Sequence, residues 1–270
     1  MNSPVNAHAE YAADLAWGAG DILLHLQTTA HSSELGTSDF KSRGDEAAQD
    51  YLAERLGQER PDDAVLSEEA PDSTARFSAD RVWIIDPLDG TREFSEGRAD
   101  WAVHVALWEA GELSAGAVAL PGRGLVLTSA DRPRQTTVDS APGRIRLAVS
   151  RTRPTAVVDH VVTVLGDVGV EVELVPLGSA GYKTSMVIMG EVDAYLHAGG
   201  QWEWDSAAPV VVARNAGLHT SRIDGSPLRY NRPNSFLPDL LVCVPSIAPL
   251  LLTALESYEE GSAVEGRAVV

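Results

Sequence analysis

The segment from residue 82 to residue 91, VWIIDPLDGT, places two carboxylates at the end of an apolar run. Asp86 follows the apolar residues directly, and Asp89 comes three positions later. The proline between them fixes φ and turns the chain, so both carboxylates can face one point at the C-terminal end of a buried strand. Gly90 allows close backbone approach, and Thr91 begins a helical turn whose amides favour an anion. Such a place can bring a divalent cation and a phosphate together.

Three further acidic residues bear on this interpretation, because D-P-x-D-G is by itself also an ordinary turn sequence. Glu68 follows the short apolar run 64–66, Asp205 stands at the start of an Ala-rich helix, and Asp45 stands at the head of a predicted helix. Each has a structural alternative, which is a solvated strand end for Glu68 and a helix N-cap for the two aspartates. Their joint occurrence with the DPLDGT segment favours a metal site built from carboxylates.

The charge balance limits the classes of ligand. The chain has 39 acidic and 21 basic residues, which gives a formal net charge of −18. Such a surface repels nucleic acid polymers, which bind chiefly through basic patches. It also repels a phosphorylated metabolite. A phosphate-handling site in this chain must therefore supply its own positive charge, and bound divalent cations are a suitable source.

The sequence contains no signal for a membrane or for an oxidising compartment. No apolar run approaches the roughly 20 residues that a membrane span requires, and the first eight residues are not typical of a signal peptide. The single cysteine, Cys243, lies in the apolar run 240–244 and has no partner for an intrachain disulfide. We therefore expect a buried thiol, no membrane association and a cytoplasmic protein.

The elements that must position the acidic residues can be predicted from hydrophobic periodicity. Helical spacing predicts a helix over 8–27 and a second one from near Asp45, after a polar loop at 31–44. Short apolar runs predict strands at 64–67 and 82–85. A meander of three strands follows, at 102–108, 113–120 and 125–128. Strands and helices then alternate, with predicted bounds 145–149, 156–165, 170–175, 180–189, 194–197, from 205, 240–244 and 247–255.

This alternation predicts an α/β fold with layered sheets and helices. We expect an α+β N-terminal half over 1–140 that carries most of the metal ligands. An α/β C-terminal half over 144–256 would contribute Asp205 and substrate contacts. The polar stretch 131–143 is expected to connect the halves at the surface, and 257–270 to form a disordered tail.

The order and spacing of these motifs resemble the inositol monophosphatase superfamily of lithium-sensitive, magnesium-dependent phosphatases. The motifs are an acidic pair after a strand, D-P-x-D-G-T, and W-D-x-A-A-P, and the resemblance covers residues 14–255. It implies a layered αβαβα fold like that of sugar phosphatases. It also implies two or three Mg²⁺ ions per site, a small phosphorylated metabolite as substrate, and the homodimer that is common in that family.

The resemblance also implies roles for individual residues. The metal ligands would be Glu68, Asp86, Asp89 and Asp205, with the backbone carbonyl of Leu88. Thr91, together with Asp45, would orient and deprotonate the water that attacks phosphorus. The substrate contacts would come from Glu68, Leu88, Gly90, Thr91, Ser179, Lys183 and Asp205. The loop before Asp45, SDFKSRGD, departs from the Pro-Val-Thr-x-Ala-Asp pattern that is usual in the family.

Two features favour a nucleotide substrate. The continuation Arg92-Glu93-Phe94 resembles CysQ-type 3′(2′),5′-bisphosphate nucleotidases of the actinobacterial type, which convert adenosine 3′,5′-bisphosphate to AMP. Ala198 stands where inositol monophosphatases place an acidic group for the sugar hydroxyls. The alternatives are a broader phosphatase acting on fructose 1,6-bisphosphate or inositol phosphates, and a non-catalytic interaction protein in RNA metabolism.

Several other side chains have two interpretations at this stage. Trp202 and Trp204 either pack in the core or stack on a purine. His104 and His197 lie in apolar strand patterns and are interpreted as core or rim histidines without a role in the chemistry. Lys183 is either solvated or in contact with a substrate phosphate.

Overall fold

The N-terminal half places two long helices against one face of a five-stranded sheet. The computed structural model describes residues 4–131, 143–151 and 155–265. Its first two helices are α1 (Pro4–Thr29) and α2 (Ser38–Glu59). The strands, in the order in which they lie in the sheet, are β1 (Ala64–Ser67), β2 (Arg81–Asp89), β3 (Ala102–Glu109), β4 (Glu112–Leu120) and β5 (Leu125–Thr128). Among the described strands of this first sheet, only β1 and β2 pair in parallel, and the short helix α3 (Thr91–Ser95) follows β2.

The C-terminal half forms a second sheet with helices on both faces. Its elements are β6 (Arg144–Ser150), α4 (Ala156–Asp167), β7 (Glu171–Leu177), α5 (Ala180–Ile188), β8 (Ala194–Trp202), α6 (Glu203–Asn215), β9 (His219–Ser221), β10 (Phe236–Cys243) and α7 (Ala248–Glu265). The strand order is β7-β6-β8-β10-β9. The first three strands in that order are parallel, and β10 is antiparallel to both of its neighbours.

Three clusters of buried side chains show that these elements stack in five layers. Helices α1 and α2 pack on the outer face of the first sheet, and α5 and α6 lie between the two sheets. Helices α4 and α7 cover the far face of the second sheet. The layering is αβαβα, so the predicted fold class is confirmed.

Strand β2 is apolar from Val82 to Ile85 because this part of the strand is buried on both faces. Trp83 and Ile85 point into the cluster with α1 and α2, whereas Val82 and Ile84 point into the cluster that contains α6. The C-terminal end of β2 therefore lies at the interface between the layers. That end carries the acidic residues of the DPLDGT segment.

Two predicted helix starts are wrong. Helix α2 begins at Ser38 rather than near Asp45, and the Thr37 hydroxyl caps it by accepting from the Phe40 N–H at 3.2 Å. The predicted loop 31–44 therefore ends at Thr37, and Asp45 lies inside the helix and caps nothing. Helix α6 begins at Glu203, so Asp205 is its third residue rather than its N-cap.

The C-terminal region also differs from the prediction. Helix α7 continues to Glu265, whereas the sequence pattern predicted an end at residue 255 and a disordered tail over 257–270. Residues 266–270 lie outside the described part of the chain, as does most of the predicted connection 131–143. Cys243 is buried and unpaired, as expected. Within the described residues, no helix is both long and apolar enough to cross a membrane.

Candidate active site

Three aspartates meet where the two halves touch. Asp86 and Asp89 stand at the end of β2, and Asp205 stands in the first turn of α6. One carboxylate oxygen from each lies within 4.8 Å of the others. We call these three residues the aspartate cluster.

An irregularity in strand pairing brings Asp86 and Asp89 to the same side. Residues three apart in a regular strand point to opposite faces of the sheet. Here Asp86 pairs with His104 and Asp89 pairs with Ala102, so β2 holds one residue more than β3 over the same stretch. This β-bulge turns the second carboxylate back toward the first. The proline in DPLDGT lies within the bulge.

Backbone amides hold one oxygen of Asp86 and one of Asp205. The N–H of Leu88 donates to Asp86 Oδ1 at 3.0 Å, and the N–H of Trp202 donates to Asp205 Oδ2 at 2.5 Å. The other oxygen of Asp86, Oδ2, is buried and finds no hydrogen-bond partner among the described residues. A buried carboxylate oxygen without a partner costs free energy, and a cation at the cluster would remove that cost.

Asp89 is held by donors from other elements. The Ser179 hydroxyl and the Gly181 N–H both donate to its Oδ2, the second at 2.7 Å. His104 Nε2 lies 3.2 Å from the same oxygen. These contacts hold the carboxylate of Asp89 in place through one of its oxygens.

His104 is a fully buried histidine between two of the aspartates. Its Nδ1 lies 3.0 Å from the carbonyl oxygen of Trp204 and 3.9 Å from Asp86 Oδ2. Burial lowers its pKa, but the charge and hydrogen bond of Asp89, the Trp204 carbonyl and the charge of Asp205 together outweigh burial, and the net shift is upward. For Asp89, burial raises the pKa, and the His104 charge with the hydrogen bonds from Ser179 and Gly181 reverses the shift to a net lowering.

Burial and the negative charges of their neighbours raise the pKa values of the other carboxyl groups of the site. Burial, followed by the charge of Glu68, raises the pKa of Asp86 well above its usual range. Burial and the charge of Asp89 raise the pKa of Asp205 to about 6. Partial burial and the charge of Asp205 raise the pKa of Glu68 to about 7. Clustered carboxylates of this kind are hard oxygen donors, which suit Mg²⁺ or Ca²⁺. The donor set therefore fits a divalent cation.

Glu68 stands one residue beyond β1 and lines the same cleft as the cluster. It is not one of the three carboxylates that lie within 4.8 Å of one another. The charges of Asp205, Glu69, Asp89 and Asp45 all raise its pKa, so it lies within electrostatic range of the cluster. Its role as a metal ligand stays a prediction, as does that of the Leu88 carbonyl.

Thr91 and Asp45 form a hydrogen-bonded pair beside the cluster. The Thr91 Oγ1 lies 3.2 Å from Asp45 Oδ1 and 3.1 Å from the carbonyl oxygen of Leu88, so its single hydrogen is shared between two acceptors. Burial and the charge of Glu69 raise the pKa of Asp45 to about 6, although the bond from Thr91 opposes the shift. The seven-residue displacement of the helix start does not prevent this contact.

A cleft of about 630 Å³ opens onto the aspartate cluster. The predicted residues that line it are Glu68, Asp89, Gly90, Thr91, Ser179, Lys183 and Asp205. Leu88 has a buried side chain, and its carbonyl oxygen accepts the Thr91 hydroxyl. Gly90 adopts a φ of 93°, in the left-handed region that favours glycine, where β2 turns into α3.

Lys183 is buried in the cleft wall, so the solvated interpretation is wrong. Its Nζ donates to the carbonyl oxygens of Gly178 at 3.2 Å and Ser179 at 2.7 Å. Burial lowers its pKa to about 8, against the opposing effect of nearby carboxylates, first that of Asp89. Ser179, whose carbonyl it binds, adopts a φ of 50°, which is strained for a residue with a side chain. Lys183 and the Ser179 hydroxyl together hold this strained turn at the edge of the site.

The prediction from sequence included neither Arg151 nor Phe236 and treated His104 as a histidine without a role in the chemistry, yet all three belong to the site region. A Cβ at Gly181 would collide with His104 Nε2, so this glycine makes room for the histidine. Arg151 and Phe236 line the cleft. The apolar run of β3 was a signal that His104 is buried, but its partners lie far away in the chain and could not be identified from that run.

The same architecture and motif order occur in known proteins. Residues 5–260 match the model of the inositol monophosphatase family. The chain belongs to that family. It is therefore a phosphatase of a family that depends on divalent metal ions. The expectation from the DPLDGT and WDSAAP motifs is confirmed, and the non-catalytic alternative is set aside.

Two named proteins and one solved structure of the inositol monophosphatase family are similar to this chain over most of its length. A protein of Mycobacterium tuberculosis named 3′-phosphoadenosine 5′-phosphate phosphatase is 52% identical over 244 residues, which are 88% of this chain and 89% of that protein. The 3′(2′),5′-bisphosphate nucleotidase CysQ of Salmonella typhimurium is 30% identical over 84% of this chain and 96% of its own length. The crystal structure of CysQ from Bacteroides thetaiotaomicron superposes with a TM-score of 0.74 at 25% identity, covering 88% of this chain and 97% of that one.

Proposed function

We propose that this phosphatase removes the 3′-phosphate of adenosine 3′,5′-bisphosphate, giving AMP and phosphate, with Mg²⁺ as its cation. The observation that carries the proposal is the 52% identity, over 88% of the chain, to a relative named 3′-phosphoadenosine 5′-phosphate phosphatase. The identity extends across both halves, and both halves contribute to the aspartate cluster.

The aspartate cluster would hold the cations, with Glu68 and the Leu88 carbonyl as further ligands. Bound there, Mg²⁺ would supply Lewis-acid chemistry that offsets the charge of the phosphate and activates water. The protein holds the cluster in place through the Leu88 and Trp202 amides and through the donors on Asp89. A chain with a net charge of −18 needs this local positive charge to bind a bisphosphate.

Thr91 and Asp45 would accept the proton of the attacking water, and their hydrogen bond supports this role. When the Thr91 hydroxyl donates to Asp45, its lone pairs can accept a hydrogen from a water in the cleft. Asp45 is ionised above a pH of about 6, because its pKa is raised to about 6. The proton passes through Thr91 to Asp45, the water oxygen bonds to phosphorus, and the bond from phosphorus to the ribose 3′ oxygen breaks. The departing oxygen takes up a proton from water.

The chain turn at Gly90 and the wall at Lys183 would position the phosphate. The backbone amides of Gly90 and Thr91 stand where β2 enters α3, and such amides favour an anion. Lys183 gives two of its hydrogens to backbone carbonyls, and a charged amine has a third to offer the substrate. In-line positioning of this kind accounts for most catalysis of phosphoryl transfer in the absence of a covalent intermediate.

The test compares kcat/KM for adenosine 3′,5′-bisphosphate, fructose 1,6-bisphosphate and inositol 1-phosphate at one Mg²⁺ concentration. We expect the nucleotide to be preferred by at least about tenfold, or about 1.4 kcal/mol in the transition-state free energy. Activity should disappear in chelator and return with Mg²⁺. Equal or faster turnover of inositol 1-phosphate would refute the nucleotide assignment, and full activity in chelator would refute the metal assignment.

A further inference from the structure

The cleft has an aromatic wall that the chemistry at phosphorus does not need. Trp202 at the end of β8 and Phe236 at the start of β10 are directly paired across the two strands. Their ring centroids lie 5.6 Å apart, and their planes meet at 81°. Both rings line the cleft, and they remain 44% and 42% exposed. We call this pair the aromatic corner.

Neighbouring residues pack against the aromatic corner, although its two rings are exposed. Trp204, on α6, stacks on Trp202 with centroids 5.5 Å apart and planes 14° from parallel. Trp204 itself packs against the core between the sheets and does not line the cleft. At Gly200 a Cβ would collide with the Phe236 ring, so this position also accommodates the corner. The aromatic partner of Trp202 in the cleft is therefore Phe236, which corrects the expected pair of Trp202 and Trp204.

The corner is also continuous with the site of reaction. The backbone N–H of Trp202 donates to Asp205 Oδ2 at 2.5 Å, so one residue borders both the aspartate cluster and the aromatic corner. A phosphate bound at the cluster would place the rest of its molecule beside the corner. A polyol has no aromatic ring that could stack on these side chains, whereas a purine base does stack on aromatic side chains.

We propose that Trp202 and Phe236 bind the purine base of the substrate, with the base stacked in the aromatic corner while the 3′-phosphate lies at the aspartate cluster. This inference rests on the proposed function and adds the residues that select for a nucleoside. Trp204 acts as a positioning residue, since it touches Trp202 and is excluded from the cleft. The exposed aromatic area is retained because the base covers it when substrate binds.

Kinetics on two substrates tests the proposal. We expect Trp202→Ala and Phe236→Ala each to lower the ratio of kcat/KM for adenosine 3′,5′-bisphosphate to kcat/KM for fructose 1,6-bisphosphate by about tenfold, mainly through KM for the nucleotide. Trp202→Phe should retain most of the ratio, because it keeps an aromatic face. Trp17→Ala, which removes an exposed tryptophan of α1 that does not line the cleft, is the matched control.

Binding of AMP provides a readout without turnover. AMP should quench the tryptophan fluorescence of the wild-type protein and of Trp17→Ala, and the quench should be lost in Trp202→Phe. An unchanged substrate ratio in both alanine variants, or an equal fall on both substrates, would overturn the assignment of the corner. If the wild type turns over fructose 1,6-bisphosphate best and AMP still quenches through Trp202, the proposed function fails and the base site stands.

Discussion

Replacing Asp205 by asparagine should have opposite effects on stability and on activity. In metal-free protein the Asp205 pKa is raised from 3.8 to about 6, by burial first and then by the charge of Asp89. The folded state thus binds the proton more tightly than the unfolded state does, so stability falls as the pH rises from about 4 to about 6 and stays lower above that. A shift of about two units corresponds to about 3 kcal/mol at pH 8.

Asparagine removes that cost, and its side-chain oxygen can still accept the Trp202 N–H. We therefore expect Asp205→Asn in chelator to be more stable than wild type by up to about 3 kcal/mol at pH 8, and by about half as much at pH 5. Mg²⁺ at 1,000 times its Kd should reverse the order, because a ligand at that concentration stabilises the wild type by about 4.1 kcal/mol. The variant should lack phosphatase activity.

Urea unfolding at pH 5 and pH 8, with chelator and with Mg²⁺, measures these differences. Asp167→Asn is the matched control, because Asp167 is exposed at the end of α4 on the outer face of the protein. Its stability should follow that of the wild type in all four conditions. A metal-free Asp205→Asn protein that is less stable than wild type at pH 8 would refute the claim that the cluster is electrostatically strained.

Three further substitutions, Asp89→Asn, Asp45→Asn and Gly181→Ala, test other parts of the site. Asp89→Asn should lower kcat by more than about 100-fold at saturating Mg²⁺ while the circular dichroism spectrum stays that of the wild type, and Asp45→Asn should cost less; a fully active Asp89→Asn enzyme would contradict the metal assignment. Gly181→Ala should lower the free energy of unfolding in urea by about 1–3 kcal/mol, because the new Cβ collides with His104. The control is Gly57→Ala in α2, where the new Cβ meets open space, and it should be neutral or stabilising by up to about 1 kcal/mol. Similar effects of the two substitutions would show that the His104 side chain moves to make room.

Much of the fold and site could be predicted because the signals are local. The strand end, bulge and turn of the DPLDGT segment lie within ten residues, and the periodicity of most helices is carried by consecutive apolar positions. The start of α2 was missed because its first two turns, SDFKSRGD, contain few apolar residues. Gly44 is buried there against Phe94 and Leu88, and a glycine carries no hydrophobic signal.

The rest of the site depends on contacts that join distant segments. His104 meets Gly181 across 77 positions of sequence, and Phe236 reaches the cleft only through its pairing with Trp202. Neither relation follows from periodicity, because the first depends on how the two sheets are placed against each other and the second on which strands pair within the second sheet. The five-layer packing fixes that placement, and no local motif encodes it.

The hydrogen bonds that Asp89 accepts have a consequence for how the active site is assembled. This carboxylate belongs to the first half, but the Ser179 hydroxyl and Gly181 amide that orient it come from the second, as does Asp205. Neither half alone contains all of these residues, so the active site is complete only when the two halves are packed together. A cation held by the three aspartates would therefore bind to both halves at once and link them.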